Sequence, residues 1–161
     1  MSGLNILLVG NRPSSRAQAS TVVDYLDAFK NCERHRYFEV AMLGNFPEFI
    51  PLNMFDAVLV HYTLSVGPLK NHYLGKNFVK KLKEYSGVKA VFIQDEYRDI
   101  TVFQDNIRDI GFDIVFSCVP KKIVNKVYPK SKLPNLKVVS VLTGYVPERL
   151  LKQAAIPLEK R

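Results

Sequence analysis

Two cysteines in 161 residues leave no room for a disulfide framework. Cys32 and Cys118 stand far apart and fit neither a metal-ligand nor a redox spacing. That usage points to a reduced, cytosolic protein, with Cys118, inside an apolar run, as a small core residue. Long hydrophobic runs are also missing, and none approaches the roughly 20 residues needed to cross a bilayer. The opening "MSGLNILLVG" has no basic leader and enters an apolar run that reads as structural, so no signal peptide is expected. Glycine is scarce where a dinucleotide fold needs it. Gly10 stands alone after the first apolar run, with no G-x-G-x-x-G. The phosphate loop G-x-x-x-x-G-K-[ST] and the nucleophile elbow G-x-S-x-G are absent too. The three histidines show no metal spacing, so neither metal nor cofactor is expected.

Acidic residues are missing from one long stretch. "VPKKIVNKVYPKSKLPNLK", residues 119–137, holds six lysines and no acid, and "KNFVKKLKEY" is a second basic stretch in a chain of net charge +8. Such a surface suits phosphates, nucleic acid or an anionic membrane, or serves only solubility. Sparse arginine and the lack of any recognised nucleic-acid motif disfavour nucleic acid.

What is present is a regular alternation. The composition, 47% hydrophobic and 24% charged, suits one globular domain with a proper core. "NILLVG" (5–10), "YFEVAMLG" (37–44), "FDAVLVHY" (55–62), "VKAVFIQ" (88–94), "DIVFSCV" (113–119) and "KVVSVLTG" (137–144) read as six strands. Between them lie helical patterns. One carries Ala19, Val22, Val23, Leu26 and Phe29 behind a Ser14 or Ser15 cap, and another spans 71–85. A third runs from Asp99, as cap, to Gly111 and buries Val102, Phe103, Ile107 and Ile110. A short helix opens at Pro120, while the proline-broken "NFPEFIPLNM" is too irregular for one. Nearly continuous apolar strands alternating with helices predict an α/β domain over 1–150, its mostly parallel sheet of about six strands covered on both faces. The end of the chain, 151–161, reads as a linker toward a further domain.

Open parallel sheets bind ligands beyond the carboxyl ends of their strands, near the reversal of strand order. The strand exits therefore supply the candidates. Gly10, Asn11 and Arg12 form a loop that either holds an anion or makes a plain serine-capped turn. A phospho-acceptor receiver would place acids in that loop and an aspartate after the third strand; Asn11 and His61 stand there instead. His61, followed by Tyr62, is a general base or a hydrogen-bonded strand end. Gln94, Asp95, Glu96, Tyr97 and Arg98 offer a base, of which only one of the adjacent acids should face a cleft. The other would pair with Arg98 or Arg12; alternatively the whole segment is a polar loop. Thr143, Gly144 and Tyr145 form either a wall or a terminal turn.

"NILLVGN", "STVVDYLDAF", "FDAVLVHY", "VFIQDEYR" and "VLTGYVPE", in that order, resemble the N-terminal domain of bacterial GT-B glycosyltransferases of surface-polysaccharide biosynthesis. The resemblance covers nearly the whole chain and implies a Rossmann-like three-layer sandwich on the acceptor side of a two-domain cleft. It further implies a metal-free reaction, a nucleotide-sugar donor held mainly by a second domain, and a glycan or lipid-phosphate acceptor. By position, Gly10 to Arg12 would lie beneath the donor phosphates, with His61 and 94–98 bordering the acceptor. Asp95 or Glu96 would take the acceptor proton, and Arg12 would neutralise the leaving diphosphate. The domain alone would not turn over. The full enzyme would act in the cytoplasm, in peripheral contact with an anionic membrane face. Asn11 and Arg12 depart from the glycine pair of many retaining members. The alternative is a non-catalytic module for a small anionic ligand or a partner protein.

Overall fold

A computed structural model of the protein describes residues 3–64, 74–142 and 144–151. Six strands form one sheet: β1 (Asn5–Gly10), β2 (Arg36–Ala41), β3 (Ala57–Val60), β4 (Val88–Ile93), β5 (Ile114–Ser117) and β6 (Lys137–Ser140). Their order is β2-β1-β3-β4-β5-β6 and every pair is parallel. The inner strands β1, β3 and β4 are almost wholly buried, which is why they read as continuous apolar runs rather than alternating ones. Each predicted strand is present. All but the first are shorter than expected, the third and sixth by half, and the second begins one residue earlier, at Arg36.

The order reverses between β1 and β3, and this decides where the helices go. Right-handed crossovers that step one way lie on one face, and those that step the other way lie on the opposite face. The step from β1 to β2 carries α1 (Arg16–Ala28), which packs Leu26 with Ile6, Leu8, Leu59 and Phe92. The steps toward β6 carry α2 (Lys76–Glu84), α3 (Ile100–Ile110) and the short α4 (Val124–Val127) over the other, larger core. Phe78 and Leu82 of α2 and Phe103, Ile107 and Ile110 of α3 are its buried stripes. The result is a Rossmann-like three-layer α/β sandwich, thick on one side and thin on the other.

Local signals held in part. Gly111 ends α3 in the left-handed region (φ 77°), as a C-terminal glycine should. Ser15 and Asp99 occupy the predicted N-cap positions, yet neither makes a side-chain capping bond. Asp99 is itself left-handed (φ 50°). Ala19, counted in the first helical stripe, interrupts α1 with extended backbone (φ −159°, ψ 69°). The 43–56 connection has no α-helix, only a 3-10 turn at Leu52–Met54, in keeping with its prolines. Of the 71–85 helix, 71–73 lie outside the described residues, as do 152–161 of the expected linker. No helix among the described residues is long and apolar enough to cross a membrane.

Candidate functional site

The strand exits form three adjoining neighbourhoods, the first and third sharing Tyr25. The first is the order reversal at β1 and β3. Val9 pairs with Val60, so Gly10 and His61 leave the sheet side by side. A Cβ on Gly10 would stand 3.1 Å from the His61 Cβ. Close approach of His61, not a left-handed turn, is therefore what favours glycine here. His61 is fully buried against Tyr25 and Tyr62, with ring centroids at 5.3 and 4.0 Å. Burial, reinforced by the Arg12 charge, pushes its pKa down to about 3. The Thr63 backbone N–H reaches its Nδ1 at 3.3 Å, which places the proton of the neutral ring on Nε2. That Nε2 has no hydrogen-bond partner among the described residues. Thr63 Oγ1 also lies 3.0 Å from Nδ1 and accepts the Asn11 N–H at 2.9 Å. Together these bonds clamp the first loop to the third strand's exit. In this state His61 is a neutral anchor rather than a solvent-facing base.

Arg12 is already engaged. Its guanidinium makes a two-nitrogen pair with Glu39, the second bond at 2.7 Å, and reaches Asp27 at 3.1 Å. The hydrogen bond to Glu39 raises its pKa despite partial burial. Arg12 thus pairs with acids of β2 and α1, not with Asp95 or Glu96.

The second neighbourhood is a cavity of about 480 Å³ beyond β4 and β5, lined by Gln94, Asp95, Glu96, Tyr97, Cys118 and the apolar stretch around α4. Both acids line this cavity, but they are buried unequally. Asp95 is exposed, whereas Glu96 is only 6% exposed. Glu96 Oε1 accepts the Ser117 hydroxyl at 2.5 Å and the Tyr128 hydroxyl at 3.3 Å. Ser117 Oγ in turn accepts the Val119 N–H at 3.1 Å, fixing the whole group to the β5 exit. The other Glu96 oxygen takes no hydrogen bond from the described residues. Asp95 sits in the left-handed region (φ 63°), a conformation uncommon for any residue but glycine. Tyr97 is exposed at the rim, with the Arg98 guanidinium 5.4 Å from its ring centroid. Burial, then Glu96 and Asp95, push the Cys118 thiol up, so it stays protonated at neutral pH and is no nucleophile. Burial, then Glu96, raises the Tyr128 phenol as well, keeping it a donor.

The third neighbourhood is a groove of about 560 Å³ on the α1 face. Its floor is the stacked pair Phe92 and Phe116, with centroids 4.4 Å apart, and one wall is Tyr25 and Phe29. The opposite wall is the segment after β6, including Gly144 and Tyr145. Topology explains the groove, since every crossover beyond β3 passes on the other face. Thr143 lies outside the described residues.

Of the sequence candidates, the structure joins Gly10, Asn11, Arg12, His61 and Tyr62 at one point of the rim, and Gln94 to Arg98 at another. Gly144 and Tyr145 face the groove instead. Thr63 stands with His61 and Tyr62 at the third strand's exit, whereas sequence reasoning missed Ser117 and Tyr128. Ser117, a hydroxyl inside the apolar run "DIVFSCV", carried a signal; Tyr128 comes from a distant element and carried none. No group of three or more His, Cys, Asp or Glu among the described residues could hold a metal ion. No family model matches the chain, and no curated protein or solved structure matches it.

Proposed function

We propose that the chain is the acceptor-side domain of a glycosyltransferase that moves a sugar from a nucleotide-sugar donor to a glycan or lipid-linked acceptor. The observation that carries this reading is Glu96: a carboxylate nearly out of solvent, one oxygen fixed by two hydroxyls, the other left for a ligand in a cavity at the strands' carboxyl ends. Such a group takes a proton from an acceptor hydroxyl as that oxygen attacks the anomeric carbon. The nucleoside diphosphate departs with the electrons of the broken glycosidic bond. Tyr97 offers an aromatic face at the rim for a sugar ring, and Asp95 a second carboxylate. The donor is held by a second domain. Gly10 and Asn11 border the reversal crevice, where its phosphates would approach.

The test uses the natural full-length polypeptide with a panel of nucleotide sugars and glycan acceptors. Glu96→Gln should lower kcat by about 10²–10⁴-fold, the usual worth of a general base, with a smaller change in KM. Transfer unchanged in both Glu96→Gln and Asp95→Asn, or no transfer from any donor, would overturn the proposal. One observation favours the second reading, a binding module. Arg12, the cation suited to a leaving diphosphate, is already paired with Glu39 and Asp27. Under that reading, ligand binding persists while donor turnover is absent.

A further inference from the structure

The edge of a sheet presents backbone groups that must be paired, covered or guarded. The two edges here differ. β6 is four residues long and opens with an exposed lysine, Lys137. β2 is six residues long, RYFEVA, with no lysine or proline, and its register with β1 runs without a bulge. Its inner side is occupied. The Arg36 N–H donates to the Leu4 carbonyl at 2.8 Å, and the Met42 N–H to the Gly10 carbonyl at 2.9 Å. Direction alternates along a strand, so Phe38 and Val40 also face β1, while Tyr37, Glu39 and Ala41 turn their N–H and C=O outward. These outward groups have no hydrogen-bond partner among the described residues. Beside them stands Phe38, 46% exposed, with Phe55 on its inner flank at 5.5 Å between centroids.

We propose that two copies of the chain pair through β2, antiparallel about a two-fold axis at Phe38. Tyr37 of one copy then exchanges both backbone bonds with Glu39 of the other, and Arg36 lies across from Val40. The two Phe38 side chains meet on the axis, where an aromatic pair stabilises the ladder. An axis at Glu39 would set two carboxylates directly opposite each other. An axis at Tyr37 or Val40 would pair only three residues of the strand. Charge also favours a second copy. β2 carries one arginine and one glutamate, so a chain of net charge +8 is neutral along this edge. Glu39 is held by Arg12, and Asp56, next to Phe55, accepts the Asn5 N–H at 2.7 Å. The interface is isologous, as a closed dimer requires.

The test is sedimentation equilibrium of the chain over a concentration series. A dimer should form, and Phe38→Lys, which opposes like charges on the axis, should weaken it about tenfold or more. Ala41→Pro removes an outward N–H without touching the β1 ladder and should weaken it as well. Circular dichroism checks that both variants fold. Register is read by cross-linking in a Cys32→Ser, Cys118→Ser background under mild oxidation. Phe38→Cys should form an inter-chain disulfide, because facing Cα atoms at such a position stand about 4.5 Å apart. Val40→Cys should not, because its two copies lie four residues out of register. A chain that stays monomeric throughout the series would overturn the proposal. So would a dimer unaffected by Phe38→Lys, or Val40→Cys linking as fast as Phe38→Cys.

Discussion

Burial holds His61 neutral far into the acidic range, and this has a direct cost in stability. The unfolded chain binds a proton at His61 below about pH 6.5, whereas the folded chain resists it down to about 3. The unfolded state therefore binds more protons across that window, and stability is lost as pH falls through it. The slope from this one residue is at most about 1.4 kcal/mol per pH unit. Denaturant midpoints at pH 7, 6 and 5 should decline in the wild type and decline less in His61→Gln. Equal slopes would show that the imidazole titrates normally. Gly10 belongs to the same argument, because a Cβ there would stand only 3.1 Å from the His61 Cβ. A glycine that reads in sequence as a phosphate-loop fragment has a packing reason to be there.

At the scale of elements, the segment after β6 bonds to α1 and to the turn that follows it. Arg149 of α5 (Glu148–Leu151) pairs with Asp24, a carboxylate of α1 only 6% exposed, and the Asn31 amide donates to the Tyr145 hydroxyl at 3.5 Å. Removing the guanidinium leaves Asp24 with less compensation for its burial. Because Arg149 is half exposed, solvent screens the pair, and the cost should be about 1–2 kcal/mol rather than that of a fully buried bridge. Arg149→Ala should lower stability by that amount and speed hydrogen exchange in 144–151. Asp24→Asn added to it should recover part of the loss. Exchange in 144–151 indifferent to Arg149→Ala would mean that the pair does not hold this segment. The same segment walls the apolar groove, so its attachment sets how open that groove is.

For the whole molecule, the charge surplus and the sheet order have plain structural consequences. Several lysines of the basic stretches hold loops together. Lys81 reaches the carbonyls of Glu48 and Ile50, and Lys130 those of Pro134 and Leu136. Lys132 bonds the buried Gln104 at 3.0 Å. A lysine-rich stretch is thus partly internal scaffolding, which a count of charges could not reveal. The sheet has its buried centre at β1, β3 and β4 and exposed edges at β2 and β6. Hydrogen exchange should be slowest in the three central strands and faster in the two edges. Protection as strong in β6 as in β4 would contradict this order.

The sequence by itself determined the class of fold. Six apolar runs separated by helical periodicity and turn residues admit little besides a parallel α/β sheet, because both signals are local and set by burial. It also placed Gly10, His61 and Asp95 on one edge, since parallel strands share a direction. It did not tell which of two adjacent acids turns inward. That choice depends on the left-handed backbone at Asp95 and on two hydroxyls, from Ser117 and Tyr128, brought from 21 and 32 residues away. Nor could it tell that Arg12 would be spent on Glu39, or that the α1 face would lack cover over β4 to β6. Those outcomes follow from strand order and crossover handedness, which put side chains distant in sequence into contact and leave others without any.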